Sequence, residues 1–294
     1  MALTEQQIQN WSRALTETEN DKCVKTVASI IKVLEDHFGS KVKVFLQGSY
    51  ANSTNVRQDS DVDIVVCYDN AYYSDISSLT DQQKVVHNQN WVAHGYEFST
   101  FKNDVESLLR VNFPNSVTRK EKCLSISENT YRVSADVIPC FTHKRFHAPQ
   151  VLSAEGIQLF TDTGGNTVIN FPDQHKTNGQ AKNQSTNQKY KAVVRILKNC
   201  RNHLVDSNHI DEKFMSSFLL ESLVWNIPDT HFNAYSHKDM VNSVIGKIYA
   251  DMADQAVSNN YAEINDLMYL FRSHNKKTPA EVRTFLEHAH NIIN

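Results

Sequence analysis

Asp61-Val62-Asp63-Ile64-Val65-Val66-Cys67 is the stretch on which the fold turns. Side chains along a strand alternate between faces, so Asp61 and Asp63 share one face while Val62 and Ile64 share the other. The apolar run Ile64–Cys67 reads as a central strand. Upstream, Phe45-Leu46 leads into the tight turn Gly48-Ser49, and eleven residues separate that turn from Asp61. Two carboxylates on one face repel unless a cation lies between them, which points to divalent-metal and polyphosphate chemistry. A solvated pair of surface acids is the plain alternative for Asp-x-Asp. Acids at the entrance of a buried strand favour the site, because buried unpaired charge is costly.

A third carboxylate stands in Arg132-Val133-Ser134-Ala135-Asp136-Val137-Ile138-Pro139-Cys140, a β-rich run predicted to stop at Pro139. Within it Val133, Ala135 and Val137 share one face, and Ser134 and Asp136 the other. Laid beside the Asp61–Asp63 strand, this run would bring three carboxylates to one point. Two magnesium ions about 3.5–4 Å apart, with manganese as a substitute, would then clamp the attacking and leaving oxygens of an in-line displacement. The reaction class is nucleotidyl transfer. For Asp136 alone the structural alternative is an ion pair, with Arg132 as the candidate partner. Gly48 allows the backbone close to phosphates, and its amide and the Ser49 hydroxyl can hold β and γ oxygens, with Gln47 beside them. A simple turn whose serine caps the next helix is compatible with that role.

Around this centre the chain is predicted to be α+β. Thr4-Glu5-Gln6-Gln7 is a capping-box start. Val24, Val27, Ile31 and Leu34 mark a second helix ending near Gly39. Strands are expected at about 42–47, 62–68, 116–118, 122–127 and 130–138, forming a mixed sheet, with a helix over Phe98–Val111. Residues 69–81 read as a loop whose end is placed to cap a helix. After about residue 145 comes a strand-and-turn region with Gly164-Gly165, then the polar segment Asp173–Gln188. Helices follow over 188–204, 214–225 and 238–256, and a last one starts at Thr278-Pro279. The expected division is 1–150, amino-terminal helices with the catalytic lobe, and 151–294, a helical lobe carrying a lid and triphosphate-binding residues. The active site is expected in the cleft between them.

Between Phe171 and Arg201 seven Lys or Arg residues face one acid, Asp173. Lys191, Arg195 and Lys198 recur at i, i+4 and i+7 and share a helix face. A solvated face is the bland reading; a cationic stripe opposite three carboxylates is what a metal–triphosphate requires. Phe218 beside Leu219 and Leu220 reads as core, with stacking on a base as the alternative.

Gly48-Ser49…Asp61-x-Asp63…Asp136 resembles the polymerase-β-type nucleotidyltransferase superfamily. Asn170-Phe171-Pro172-Asp173-Gln174-His175, Asn178-Gly179, Lys182-Asn183, Thr186 and Tyr190-Lys191-x-x-Val194-Arg195-Ile196-Leu197-Lys198 narrow the likeness. They resemble the bacterial cGAS/DncV-like nucleotidyltransferases of anti-phage (CBASS) signalling, in the CdnE-like clade. The resemblance implies a nucleotidyltransferase sheet lobe with a helical, OAS-like carboxy-terminal lobe. It implies that Asp61, Asp63 and Asp136 are catalytic and metal-binding, that Lys182, Lys198 and Ser217 bind the triphosphate, and that Asn170 reads the base. An Asn amide can accept from uracil N3–H and donate to O4, or pair with adenine; a loop Asn satisfying its own backbone is the structural alternative. The implied product is a cyclic di- or oligonucleotide containing uridine, made from ATP and UTP with release of pyrophosphate, which activates a separate effector. Transfer to an RNA or small-molecule acceptor, or silent nucleotide binding, stays open at this point.

The 294-residue chain carries a net charge of −3, so no global basic field draws long nucleic acid to it. No apolar stretch reaches membrane-spanning length, and no signal-peptide pattern opens the chain. Five dispersed cysteines without a Cys-x-x-Cys pair read as reduced thiols. A cytoplasmic, monomeric enzyme without a membrane partner is expected.

Overall fold

The computed structural model describes residues 2–56, 61–89, 92, 94–272 and 277–294. The chain divides into two compact units, one of residues 17–50 and 60–172, the other of 1–16, 51–59 and 173–294. The expected boundary at residue 150 therefore moves. Residues 151–172 stay with the sheet because their strands hydrogen-bond to it, and the first helix belongs with the later ones.

Chain order starts with helix α1 (Glu5–Trp11), closed by the expected capping box between Thr4 and Gln7, and α2 (Glu17–Phe38). Strand β1 (Val42–Gln47) leads into the single turn α3 (Gly48–Ala51), and β2 (Val62–Asp75) follows. Then come α4 (Asp81–Asn88), α5 (Phe98–Asn112) and the short strands β3 (Val117–Arg119) and β4 (Leu124–Ile126). Strands β5 (Ala135–Ala148), β6 (Val151–Phe160) and β7 (Thr167–Asn170) complete the sheet. Its order is β1-β2-β5-β4-β3, with β6 pairing β5 further along and β7 pairing β6. The β2–β5 pair is parallel and the others antiparallel, so the sheet is mixed as predicted.

Val62, Ile64, Val65 and Val66 are fully buried, which makes β2 the central strand its apolar run implied. Buried Cys23, Ile30 and Leu34 of α2 and Phe101, Val105 and Leu109 of α5 lie against the sheet at helical spacing. Each such side chain taken from water contributes about 1.5–3 kcal/mol. Phe101, Tyr68 and Phe141 pack as tilted and edge-on rings.

Two strand expectations are corrected. The stretch after Tyr68 is not all loop: β2 continues to Asp75 through a register shift between Tyr68 and Tyr72. Thr80 then caps α4 with a reciprocal bond to Gln83. Nor does β5 end at Pro139; it begins at Ala135 and runs through the proline to Ala148. On one flank β5 pairs β4 only as far as Val137, and β6 takes over at Phe141. Pro139 falls between those partners, where a missing N–H has no ladder bond to lose.

The helical unit holds α6 (Pro172–Ser185), α7 (Lys189–Asp206), α8 (Ser217–Trp225), α9 (His237–Asp251), α10 (Gln255–Ser258) and α11 (Pro279–Ile293). The segment read only as polar is thus the helix α6, pinned by Asn178 Nδ2 on the Ile264 carbonyl (2.7 Å). Ile8 of α1 joins one core with Val193, Leu197, Leu220, Val244 and Phe285. Thr278 caps α11 with Pro279 at its first turn, as predicted. Among the described residues no helix is long and apolar enough to cross a membrane, and the five cysteines are free and buried.

Candidate active site

Strand register places the acids. Asp63 of β2 lies opposite Gln47 of β1 on one side and opposite Asp136 of β5 on the other. Adjacent strands run about 4.8 Å apart, so the Asp63 and Asp136 carboxylates are neighbours on one face. Asp61 stands exposed one residue before β2 begins, two positions along the same face. The backbone under Asp136 is fixed on both sides of the entry to β5. Val62 N–H donates to the Ser134 carbonyl (3.1 Å), and Val133 N–H donates to Thr26 Oγ1 (3.1 Å).

Gly48 shapes this face. It adopts φ +71°, and a Cβ there would stand 2.0 Å from Asp63 Oδ2. Both the backbone conformation and the space belong to glycine, which lets the β1 turn close on the carboxylate. Ser49 follows in α3, and the Tyr50 hydroxyl donates to Asn20 Oδ1 (3.0 Å).

Beside Asp136 the structure adds two groups the sequence reading missed. Lys120 Nζ donates to Asp136 Oδ1 at 3.2 Å and Oδ2 at 3.5 Å. Burial opposes the charge of this lysine, but the Asp136 carboxylate, with Asp61 further off, outweighs it and raises its pKa. The Cys123 thiol is pushed up to about 12, first by burial and then by the charges of Asp136 and Asp63. Arg132, the expected partner of Asp136, instead donates to the Ser127 carbonyl and lies over the Phe113 ring. Lys120 and Cys123 flank the β3–β4 turn, so only the pairing of β4 with β5, Ser125 opposite Asp136, reveals their position. The polar run Arg119–Lys122 between two short strands was the available signal.

This donor set fits a divalent cation. Carboxylate oxygens of Asp63 and Asp136 on adjacent strands suit a hard ion. Among the described residues no three His, Cys, Asp or Glu side chains gather closely enough to cage an ion unaided. The strand register sets Asp63 and Asp136 side by side, with Asp61 just ahead of the same strand. A magnesium ion here would complete its shell with water and substrate phosphate, its usual habit.

Asn170 ends β7, half-buried and opposite Ile157 of β6. Its backbone is tightly held: a Cβ on Gly156 would come within 2.4 Å of the Asn170 carbonyl oxygen. The next residue, Phe171, is buried beside His143, with Arg145 over its ring at 5.0 Å.

In the helical unit two members of the expected cationic stripe, Arg195 and Lys198, are buried. Lys198 is fully buried and donates from Nζ to the Thr54 carbonyl (3.0 Å). Arg195, its pKa lowered to about 10 by burial and so still protonated, donates to the Ser12 and Ser53 carbonyls. Arg195 and Lys198 thus close on backbone oxygens more than 140 residues away, while Lys191 on the same face is half-buried. Lys182 Nζ binds the Ile227 carbonyl (2.5 Å) and Asp229 (2.6 Å), and Arg201 donates to Ser217 Oγ (2.7 Å). Thr54 also donates to buried Glu221 (2.9 Å), which pairs with His175 (3.1 Å). Phe218 is not core: 41% exposed, it lies 5.7 Å from the His175 ring.

Paired carboxylates on adjacent strands of a mixed sheet, closed by a Gly-Ser turn, define a nucleotidyltransferase. A nucleotidyltransferase domain model matches residues 27–146, and a model of the cGAS/DncV-like nucleotidyltransferase carboxy-terminal helical domain matches 177–294. The cyclic dipurine nucleotide synthase of Elizabethkingia meningoseptica is 41% identical over 293 residues, covering 100% of this chain and 99% of that protein. A solved structure of a cyclic dinucleotide synthase from the same organism, with GTP and Apcpp, superposes with a TM-score of 0.84 at 39% identity, covering 98% of each chain. The Rhodothermus marinus c-UMP-AMP synthase, solved with Apcpp and Upnpp, gives 0.83 at 31% identity, covering 98% of this chain and 96% of that one. The chain belongs to the cGAS/DncV-like nucleotidyltransferase family. It is an enzyme acting on nucleotides, and cyclic oligonucleotide synthesis, the activity expected from the sequence, is the activity of this family. Divalent-metal dependence comes with the nucleotidyltransferase class.

Proposed function

We propose that this chain joins two nucleoside triphosphates, at least one of them UTP and the other ATP, into a cyclic dinucleotide, with release of pyrophosphate. The product serves as a second messenger in anti-phage signalling, made in the cytoplasm by a monomer and read by a separate effector. The observation that carries the chemistry is the register pairing of Asp63 with Asp136 beneath Gly48.

Asp61, Asp63 and Asp136 would hold magnesium, which supplies charge neutralisation at the phosphates and a lowered hydroxyl pKa. The Gly48 amide and the Ser49 hydroxyl hold the β and γ oxygens of the donor. Asp136 accepts the proton of the acceptor ribose hydroxyl. The acceptor oxygen bonds to the α-phosphorus as the bond to pyrophosphate breaks, and a second such step closes the ring. Lys198, buried on the Thr54 carbonyl, acts as a positioning residue for the 53–56 segment. Asn170, on a backbone fixed by Gly156 and Phe171, reads the uracil edge.

A purine-only product is the second reading, favoured by the 41% identity to a cyclic dipurine nucleotide synthase. Incubation with sets of NTPs lacking one base each, followed by mass spectrometry, separates the two. Loss of product whenever UTP is omitted supports uridine; full activity without UTP establishes the purine reading. Asp61→Asn combined with Asp63→Asn should abolish pyrophosphate release with folding intact. Persistent release from the pure double variant would overturn the site.

A further inference from the structure

The backbone that carries Lys120 is held from several sides. Its N–H donates to the Cys123 carbonyl (2.9 Å), closing the β3–β4 turn. The fully buried ammonium of Lys102 binds the Lys120 and Glu121 carbonyls at 3.0 Å each, and Asp162 at 3.0 Å. Asp162 N–H donates back to the Glu121 carbonyl (3.2 Å), and Thr163 hydrogen-bonds to the Glu121 carboxylate through both its N–H and its hydroxyl. A turn pinned from below by one lysine therefore presents the next to both oxygens of Asp136, at 3.2 and 3.5 Å. The Lys120 side chain is 51% exposed, so it can swing into water without disturbing the turn.

An ammonium and a divalent ion cannot both lie within contact distance of the same carboxylate without strong repulsion. We propose that Lys120 is an internal counter-cation that competes with the divalent ion for Asp136, so that firm metal binding at this carboxylate waits for a nucleotide. The negative triphosphate supplies both the missing oxygen ligands and a second place for the lysine charge. Metal loading is thereby tied to substrate loading. This inference rests on the reading of Asp136 as a metal ligand.

The test is manganese binding to the nucleotide-free protein, followed by electron paramagnetic resonance, in wild type, Lys120→Met, Lys120→Arg and Asp136→Asn. Removing the lysine charge should tighten manganese binding by about thirtyfold in Lys120→Met, the water-screened repulsion between a unit charge and a doubly charged ion about 4 Å apart. Lys120→Arg, which keeps the charge, should stay within about twofold of wild type, and saturating nucleotide should narrow the difference between Lys120→Met and wild type. Unchanged or weaker manganese binding in Lys120→Met overturns the proposal. So does unchanged manganese binding with a raised KM for NTP, which makes Lys120 a phosphate ligand instead. If Asp136→Asn made in the Lys120→Met background, or measured with saturating nucleotide, binds manganese as its parent does, the carboxylate reading fails and the proposal with it.

Discussion

Replacing Gly48 by alanine isolates the geometric demand at the centre of the site. The substitution carries two costs. At φ +71° an alanine sits in the left-handed region, a penalty of about 1–2 kcal/mol. Its methyl would also stand 2.0 Å from Asp63 Oδ2 and 3.0 Å from its Cγ, so the carboxylate must move by about an ångström to reach ordinary contact. Gly39 supplies the control. It has φ +55° with nothing within 4 Å of an added Cβ, so Gly39→Ala carries the backbone penalty alone. Gly39→Ala should therefore lose about 1–2 kcal/mol in urea unfolding and Gly48→Ala at least as much, with melting lowered by roughly 2–4 °C per kcal/mol. Only Gly48→Ala should lose activity, by about a hundredfold or more in pyrophosphate release, the usual effect of misplacing a reacting group by an ångström. Gly48→Ala turnover within about threefold of Gly39→Ala would refute the reasoning, because Asp63 would then tolerate displacement.

Two further outcomes follow from buried and capping groups. Thr54→Val removes a hydrogen bond to the buried Glu221 carboxylate while keeping side-chain volume, and should cost about 1.5–3 kcal/mol in urea denaturation; a loss under about 0.3 kcal/mol would show that Glu221 does not depend on it. The Glu281 pKa falls to about 2, lowered first by the bond from Thr278 N–H, then by Lys277 and the Thr278 hydroxyl, with burial opposing them. A lowered carboxylate pKa contributes stability above the ordinary value of 4.5 that is lost as pH falls toward 2. Because the side chain is 37% exposed, solvent screens these bonds and the effect should be only a fraction of a kcal/mol. Melting temperature against pH should show a shallower acid limb in Glu281→Gln than in wild type, and identical limbs would remove the cap from the acid response.

Local pattern made much of this fold legible. The alternation around Asp61–Val66 identified β2, Thr278-Pro279 identified the start of α11, and the spacing of Phe101, Val105, Leu108 and Leu109 identified α5, because each rests on neighbours within a few residues. Leu108 of that set is only half-buried. What escaped was set by distant partners. Pro139 reads as a stop until the handover from β4 to β6 is known. Arg195 and Lys198 read as part of a cationic stripe for a triphosphate until the carbonyls of Ser12, Ser53 and Thr54 appear against them. Helix α6, with Asn178-Gly179 in its middle and no apolar stripe, forms through contacts such as Asn178 to Ile264 rather than through propensity. In the site, Asp63 and Asp136 were readable as a pair, whereas Lys120 depended on a hairpin register that short strands do not announce.

The partner exchange along β5 also bears on how such an enzyme can diversify. The first half of the strand carries Asp136 and is clasped by β2 and β4; the second half, past Pro139, is clasped by β6, whose far edge holds β7 and Asn170. On the assignment of base reading to Asn170, chemistry and selectivity occupy separate stretches of one continuous rod. Substitutions that retune the β6–β7 ribbon need not loosen the carboxylates at the other end. A lineage can thus change the letters of its signal while conserving the reaction that writes it, in keeping with synthases named for different products that share this architecture.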